Sequence, residues 1–217
     1  MKLAPATYIR WILAEFLGTA FLASAVAVLV TAGYQGVPGY DSVFVPFIIG
    51  IVITVLVMCF GWVSGSHFNP AITISQALFR KIPVAQAGIY IGSQLAGAFV
   101  GVKLANLLLG RTSLIPDATS TPIVVGEFVG TMILSFAVTL VVTKRVPSAA
   151  AALFLGGSIT LALLLSVHTG GGVINPAVAF GLGGYSLTFL VTPIIGAICG
   201  AAIGVLFDET ATTPREV

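Results

Sequence analysis

Two copies of the tripeptide Asn-Pro-Ala are the residues whose type and spacing point most directly to chemistry. They are Asn69-Pro70-Ala71 and Asn175-Pro176-Ala177, which lie 106 residues apart in a chain of 217. Asparagine is favoured at the N-cap of a helix, and proline is favoured at the first helical position, where its missing N–H costs nothing. Each tripeptide therefore predicts a helix start that carries an amide side chain able to donate hydrogen bonds.

A second repeated motif frames the tripeptides. Glu15-Phe16-Leu17-Gly18-Thr19 recurs as Glu127-Phe128-Val129-Gly130-Thr131, 112 residues later. Two matches in the same order at nearly the same offset indicate a duplication rather than chance. We therefore expect a single domain over 1–217 that is built from internal repeats at about 8–110 and 120–207.

The composition indicates a chain whose solvent is largely lipid. Charged residues make up 7% of the sequence, against roughly 25% in ordinary soluble domains. Hydrophobic residues make up 58%, and the mean hydropathy is +1.12. The net charge of +2 and the scattered basic residues give no reason to expect a nucleic-acid partner.

Six apolar segments are long enough to cross a membrane, which takes about 20 residues. They are 9–31, 44–63, 84–109, 123–143, 149–167 and 187–206. The apolar stretches 69–79 and 175–185 have 11 residues each, which is about half the length of a span. Each follows a glycine-rich run, and irregular backbone at membrane depth is tolerated only inside protein or beside a water-filled cavity. The sequence predicts an all-α membrane protein with six transmembrane helices and two half-membrane helices.

The distribution of Lys and Arg predicts the orientation, because cytoplasmic loops carry an excess of these residues. With the N-terminus inside, seven basic residues lie on the inner side and two on the outer side. The inner residues are Lys2, Arg10, Arg80, Lys81, Lys144, Arg145 and Arg215, and the outer residues are Arg111 and Lys103. We therefore expect an integral membrane protein with cytoplasmic N- and C-termini. The short termini favour a prokaryotic cytoplasmic membrane.

An odd number of spans in each repeat requires the two halves to be inverted, so one half-helix enters from each face. Their N-termini then meet near the midplane and place about half a positive charge each at the centre of the membrane. The Asn69 and Asn175 amides add N–H donors directed into the lumen. A water molecule that accepts both bonds cannot continue a proton wire, and cations meet a repulsive potential.

These residues resemble the aquaporin, or major intrinsic protein, family. The segment Ser64–Ala71 is similar to the family's first signature, Ala14–Thr19 to its first-span signature, and Asn175–Ala177 to its second turn. The resemblance covers essentially the whole chain. It implies six spans, two half-helices, a pore in every protomer, a homotetramer in lipid, and no cofactor or metal.

The loops before the half-helices are expected to line the pore. Their candidate pore-lining residues are Gly65, Ser66, His67, Phe68, Gly170, Gly171 and Val173. For His67, packing within the loop and contact with the lumen both stay open. Glu15 and Glu127 are expected to accept N–H bonds from these loops, and the resemblance implies the same supporting role. A proton relay is the alternative reading of these two carboxylates.

The narrowest part of the pore departs from the family pattern. The family usually has Arg directly after the second Asn-Pro-Ala, where this chain has Val178. Fixed offsets from the two turns place the other three constriction positions at Ile49, Leu163 and Gly172. This ring offers no charged or donor side chain, so we expect a broader channel than in strict water-conducting members.

The resulting prediction is a passive channel for water and other small uncharged solutes that excludes protons and ions. Urea, ammonia and hydrogen peroxide are the expected solutes, with glycerol as a further candidate. One alternative is a channel mainly for ammonia, gases or other less polar solutes. A less favoured alternative is an inverted-repeat secondary transporter that uses Glu15 and Glu127 as ion sites. The sequence has no paired Ser/His, metal-ligand spacing or nucleotide loop, so no enzymatic activity is expected.

Overall fold

The computed structural model describes residues 4–34, 44–115, 119–144, 146–169 and 171–207. Within these ranges the chain is helical and contains no β-strand. The α-helices are α1 Pro5–Tyr34, α2 Phe44–Ser64, α3 Pro70–Leu78, α4 Val84–Leu109, α5 Thr121–Lys144, α6 Ser148–Ser166, α7 Pro176–Gly181, α8 Leu187–Leu190 and α9 Thr192–Leu206. A short 3₁₀ turn, Val167–Thr169, follows α6.

The six predicted spans are confirmed to within a few residues. The described residues contain six helical segments that are long and apolar enough to cross a membrane. The last crossing is interrupted at Val191, between α8 and α9. Pro193 causes this break because it has no N–H and its ring crowds the carbonyl four residues earlier.

The two half-helices are shorter than the 11 residues expected from the sequence. Helix α3 has nine residues and α7 has six. Each ends because the chain turns into the left-handed region, at Arg80 (φ 57°) and at Gly183 (φ 82°). Backbone N–H groups beyond each turn then satisfy the last carbonyls, such as Lys81 N–H to Gln76 O at 2.8 Å.

The inverted repeat appears in the way that the helices pack. A Cβ added to Gly97 in α4 would lie 2.3 Å from the Phe16 carbonyl oxygen in α1. A Cβ added to Gly196 in α9 would lie 2.3 Å from the Phe128 carbonyl oxygen in α5. Phe16 and Phe128 occupy the same place in the repeated motif, so the pairs α1–α4 and α5–α9 make equivalent backbone contacts.

Six crossings bring the start of α1 and the end of α9 to the same side of the molecule, which we call the terminal face. The opposite side is the distal face. Helix α3 runs from the middle of the molecule to the terminal face, and α7 runs from the middle to the distal face. Four residues used in the sequence predictions lie outside the described residues, namely Lys2, Arg145, Gly170 and Arg215.

Candidate functional site

The two Asn-Pro-Ala turns form the centre of the site, and each asparagine caps its own half-helix. Asn69 Oδ1 accepts the Ala71 N–H at 2.9 Å, and Asn175 Oδ1 accepts the Ala177 N–H at 3.0 Å. Both asparagines have extended backbone angles, as N-cap residues do. The local sequence alone therefore determines where both helices begin.

The same two side chains also join the turns to each other. Asn69 Nδ2 donates to the Ile174 carbonyl oxygen at 2.8 Å, and Asn175 Nδ2 donates to the Phe68 carbonyl oxygen at 2.9 Å. We call this reciprocal pair of bonds the amide clasp. Since an amide nitrogen carries two hydrogens, the clasp uses one N–H of each asparagine and leaves one for a passing molecule. The sequence predicts donors that point into the lumen, but it does not predict the bonds between the two turns.

Phe68 and Ile174, whose carbonyl oxygens accept the two bonds of the amide clasp, both have left-handed backbone angles. Phe68 has φ 48° and Ile174 has φ 44°, a region that side chains of this size rarely adopt. The Phe68 ring fills the space where a Cβ of Gly18 would stand, 2.0 Å from Phe68 Cε1. Ile174 Cγ2 lies 2.8 Å from the equivalent point at Gly130. The repeated glycine of the Glu-Phe-x-Gly-Thr motif therefore makes room for these residues, a role that the motif alone does not reveal.

Glu15 holds the first loop from a fully buried position. Its carboxylate accepts the backbone N–H groups of His67 at 3.1 Å and Phe68 at 2.8 Å. The Ser64 hydroxyl at 2.5 Å and the Gln94 amide at 2.7 Å complete its set of donors. Gln94 and Ser64 were not among the predicted site residues, because nothing in their local sequence shows which distant group they contact.

Glu127 holds the second loop in a comparable way and is also fully buried. Its carboxylate accepts three consecutive backbone N–H groups, from Gly172 at 2.7 Å, Val173 at 2.8 Å and Ile174 at 2.7 Å. Among the described residues, backbone N–H groups supply all the hydrogen bonds of this carboxylate, whereas Glu15 also accepts bonds from side chains. Glu127 therefore orders three consecutive residues of the second loop, and the Asn69 amide holds the same loop at the Ile174 carbonyl.

His67 makes both kinds of contact that the sequence left open. Its Nδ1 lies 3.1 Å from Thr73 Oγ1, and its ring packs edge-on against Tyr90 with centroids 5.3 Å apart. The side chain also lines the central cavity. Loop packing thus fixes a histidine whose ring forms part of the wall.

A cavity of ≈ 370 Å³ extends from the two turns toward the distal face. All four predicted constriction positions line it, and so do Gly171 and Val173. Gly65, Ser66 and Phe68 do not line it. The polar side chains of its wall, among the described residues, are His67, Asn69 and Asn175. The constriction positions and their neighbours on the wall are Ile49, Ile53, Ile159, Leu163, Gly172 and Val178.

Such a wall suits uncharged molecules that are small enough to enter. The aliphatic side chains offer no replacement for the hydration shell of an ion, so entry of an ion is costly. The two asparagines each keep one amide N–H that the clasp does not use and that can donate to a passing molecule. The geometry therefore supports passage with weak binding rather than chemistry on a bound substrate.

Comparison with known proteins gives a family. The model of the family described as "Major intrinsic protein" matches residues 2–206. This chain belongs to the major intrinsic protein family. It is therefore an integral membrane protein and a passive channel, not an enzyme.

Two curated plant relatives match over most of this major intrinsic protein. Nodulin-26 of Glycine max is 33% identical over 92% of this chain and 78% of the relative. Aquaporin NIP3-1 of Arabidopsis thaliana is 30% identical over 99% of this chain and 72% of the relative. Both relatives are plant proteins, so the expected prokaryotic membrane stays a prediction.

A solved structure shows the same fold. The X-ray structure of the aquaglyceroporin from Plasmodium falciparum matches with a TM-score of 0.72 at 21% identity, over 94% of this chain and 97% of that chain. The all-α fold with six spans and two half-helices is thereby confirmed.

Proposed function

We propose that this protein conducts water and other small uncharged solutes while excluding protons and ions. The observation that carries the proposal is the cavity whose aliphatic wall ends at Asn69 and Asn175. A solute that moves along the cavity meets mostly apolar side chains and then the two asparagines. Water and urea carry no charge, so such a path costs them less than it costs an ion.

Proton exclusion is proposed to occur at the two turns. The free N–H of each asparagine donates to the oxygen of a passing water, so the hydrogens of that water point away from the centre. The N-termini of α3 and α7 add positive potential at the same place. Because the amide clasp fixes both side chains, the donors keep their direction while water exchanges.

The solute range is proposed to follow from the apolar ring at Ile49, Leu163, Gly172 and Val178. A ring without a charged side chain favours urea, ammonia and hydrogen peroxide, with glycerol as a further candidate. The same ring supports the second candidate, a conduit mainly for ammonia or other less polar solutes. A transporter that uses Glu15 and Glu127 as ion sites has less support, because loop N–H groups occupy both carboxylates.

We further propose a homotetramer with both termini in the cytoplasm. Large hydrophobic side chains are exposed on the lateral surface, for example Trp62 at 75% and Leu107 at 78%. Lipid and neighbouring copies of the chain would cover them. Cross-linking in native membranes followed by mass measurement tests the tetramer, and protease protection of tagged termini tests the orientation.

Stopped-flow light scattering of proteoliposomes tests the conduction proposal, with water, urea, glycerol and ammonia measured in parallel. We expect water permeability above that of empty vesicles, and we expect the water and solute fluxes to be unaffected by ionophores. A pH-sensitive dye in the same vesicles should show that an imposed pH gradient persists. Dissipation of the gradient at the rate of water flow would refute the central barrier. Ammonia flux without water flux would select the second candidate.

A further inference from the structure

The segment 111–115, which follows α4 on the distal face, is tied down at three points. We call it the distal strap. The Ser113 backbone N–H donates to Asn106 Oδ1 at 2.7 Å, and the Ser113 hydroxyl lies 2.7 Å from Thr31 Oγ1 in α1. The Ile115 N–H donates to the carbonyl oxygen of Leu182 at the end of α7, at 3.2 Å. The strap therefore has a fixed position relative to α1, α4 and the second half-helix.

These ties place the Ile115 side chain on the wall of the central cavity. Its Cδ1 lies 2.5 Å from the point where a Cβ of Gly184 would stand, so a larger residue at 184 would displace the end of the Ile115 side chain. Val167 and Phe189 line the same cavity and, like Ile115, lie near its distal end. The neighbouring Leu114 is 58% exposed and is not part of the wall.

We propose that Ile115 is a specificity-determining residue of the channel, forming an additional apolar wall at the distal mouth that the strap holds in place. This inference rests on the proposed function and adds a position that lies outside the ring at Val178. A solute that enters from the distal face passes Ile115 before it reaches that ring. The branched side chain narrows the mouth without offering a hydrogen bond, so it restricts larger polar solutes more than it restricts water.

Substitution of Ile115 in both directions tests the proposal in reconstituted vesicles. Ile115→Ala should raise the glycerol-to-water and urea-to-water permeability ratios by more than about twofold, because it widens an apolar constriction. Ile115→Phe should lower both ratios. Leu114→Ala is the matched control and should leave the ratios unchanged. Unchanged ratios in folded, conducting Ile115→Ala and Ile115→Phe proteins would overturn the inference.

Loss of a strap contact tests whether Ile115 acts from a fixed position. Thr31→Val removes the hydroxyl that contacts Ser113 and nearly preserves side-chain volume. It should shift the ratios in the same direction as Ile115→Ala but by less. The double variant Thr31→Val/Ile115→Ala should have the same permeability ratios as Ile115→Ala alone, because both changes act through the Ile115 side chain. Additive shifts would show that the strap acts elsewhere and would overturn this part of the proposal.

A labelling experiment separates this inference from the proposed function. In a background without Cys59 and Cys199, the variants Ile115→Cys and Leu114→Cys are treated with a bulky, membrane-impermeant thiol reagent and checked by mass spectrometry. Both sites should be modified, and only modification at 115 should block water flux. Modification at 115 without loss of flux would refute the inference alone. A parent protein that conducts nothing above empty vesicles would refute both proposals.

Discussion

Val178 is the residue at which this chain differs most clearly from the usual family pattern. Its side chain is 1% exposed and lines the cavity with Leu163 and Gly172. The proposed constriction is consequently aliphatic, because none of these three residues carries a polar side chain. This single position is therefore proposed to bear on which solutes pass.

We predict that Val178→Arg lowers urea and glycerol permeability more than water permeability. The long side chain narrows the lumen, and its N–H groups suit the oxygen of water. A charge in the membrane costs about 2.5–3.5 kcal/mol on insertion scales, which a wet lumen reduces. The urea-to-water and glycerol-to-water permeability ratios, measured by stopped flow on equal amounts of assembled protein, show the effect. Val178→Leu is the control, because it adds volume without adding charge. Equal urea-to-water ratios in the parent and in folded Val178→Arg protein would contradict the predicted constriction.

Glu127 gives a second test at the residue scale. Glu127→Ala leaves three backbone donors of the second loop unpaired, at about 1–3 kcal/mol for each buried donor. We expect a lower midpoint of thermal unfolding in detergent and a loss of flux in proportion to the loss of folded protein. Glu127→Gln retains one acceptor oxygen, so its midpoint of unfolding should lie between those of the parent and Glu127→Ala. Normal stability with altered ion coupling would instead favour the transporter reading.

At the scale of elements, helices α2 and α6 cross at two glycines, one in each helix, and each glycine faces a threonine of the other helix. Thr160 Oγ1 lies 2.0 Å from the point where a Cβ of Gly50 would stand, and Thr54 Oγ1 lies 1.9 Å from that point at Gly156. Each threonine also bonds to the carbonyl four residues earlier in its own helix. The two helices carry Ile49 and Leu163, two of the residues that are proposed to form the constriction.

We predict that Gly156→Ala destabilises the protein by about 1–3 kcal/mol, as overpacking of a tight contact does. Gly50 O, 2.6 Å from the new Cβ, is backbone and cannot move aside as a side chain can. The adjacent Gly157 has no atom within 4 Å of its Cβ position, so Gly157→Ala is the matched control and should be close to neutral. Unfolding in detergent measures both variants. Equal effects would show that α2 and α6 do not meet as described.

At the scale of the whole molecule, the amide clasp is the bond pair that links the two inverted halves at their centre. Each asparagine caps one half-helix and donates to the turn before the other. Loss of either side chain therefore loosens both turns. The halves are coupled through residues that lie more than a hundred positions apart in the chain.

We predict that Asn69→Ala and Asn175→Ala are not additive. Residues that share one network show coupling on the order of 0.5–3 kcal/mol, so the double variant should cost less than the sum of the single variants. The free energy of unfolding in detergent is measured for the parent, the two single variants and the double variant. Within the part of the chain that the structure describes, Thr143 in the last turn of α5 bonds only to its own helix. Thr143→Val combined with Asn69→Ala is therefore the control and should be additive. Additivity in the asparagine pair would argue against a clasp that joins the halves.

The sequence by itself determined the membrane spans and the helix starts, because these features depend on residues that are close together in the chain. Twenty consecutive apolar residues identify a span because a bilayer has a fixed thickness, and Asn followed by Pro starts a helix because both preferences act within one turn. The inverted arrangement followed from the odd number of spans in each repeat. These expectations agree with the structure apart from the lengths of the half-helices and the interruption at Val191. The half-helices end where the backbone turns at Arg80 and Gly183, and the interruption follows from Pro193.

Only the tertiary structure decided which distant groups meet. Nothing local shows that Asn69 bonds to the Ile174 carbonyl, that Gly18 makes room for Phe68, or that Gln94 reaches Glu15. The same holds for Ile115, whose place on the cavity wall comes from contacts with α1, α4 and α7. Sequence spacing places residues along one helix, whereas the width of a pore depends on distances between helices, which packing alone sets.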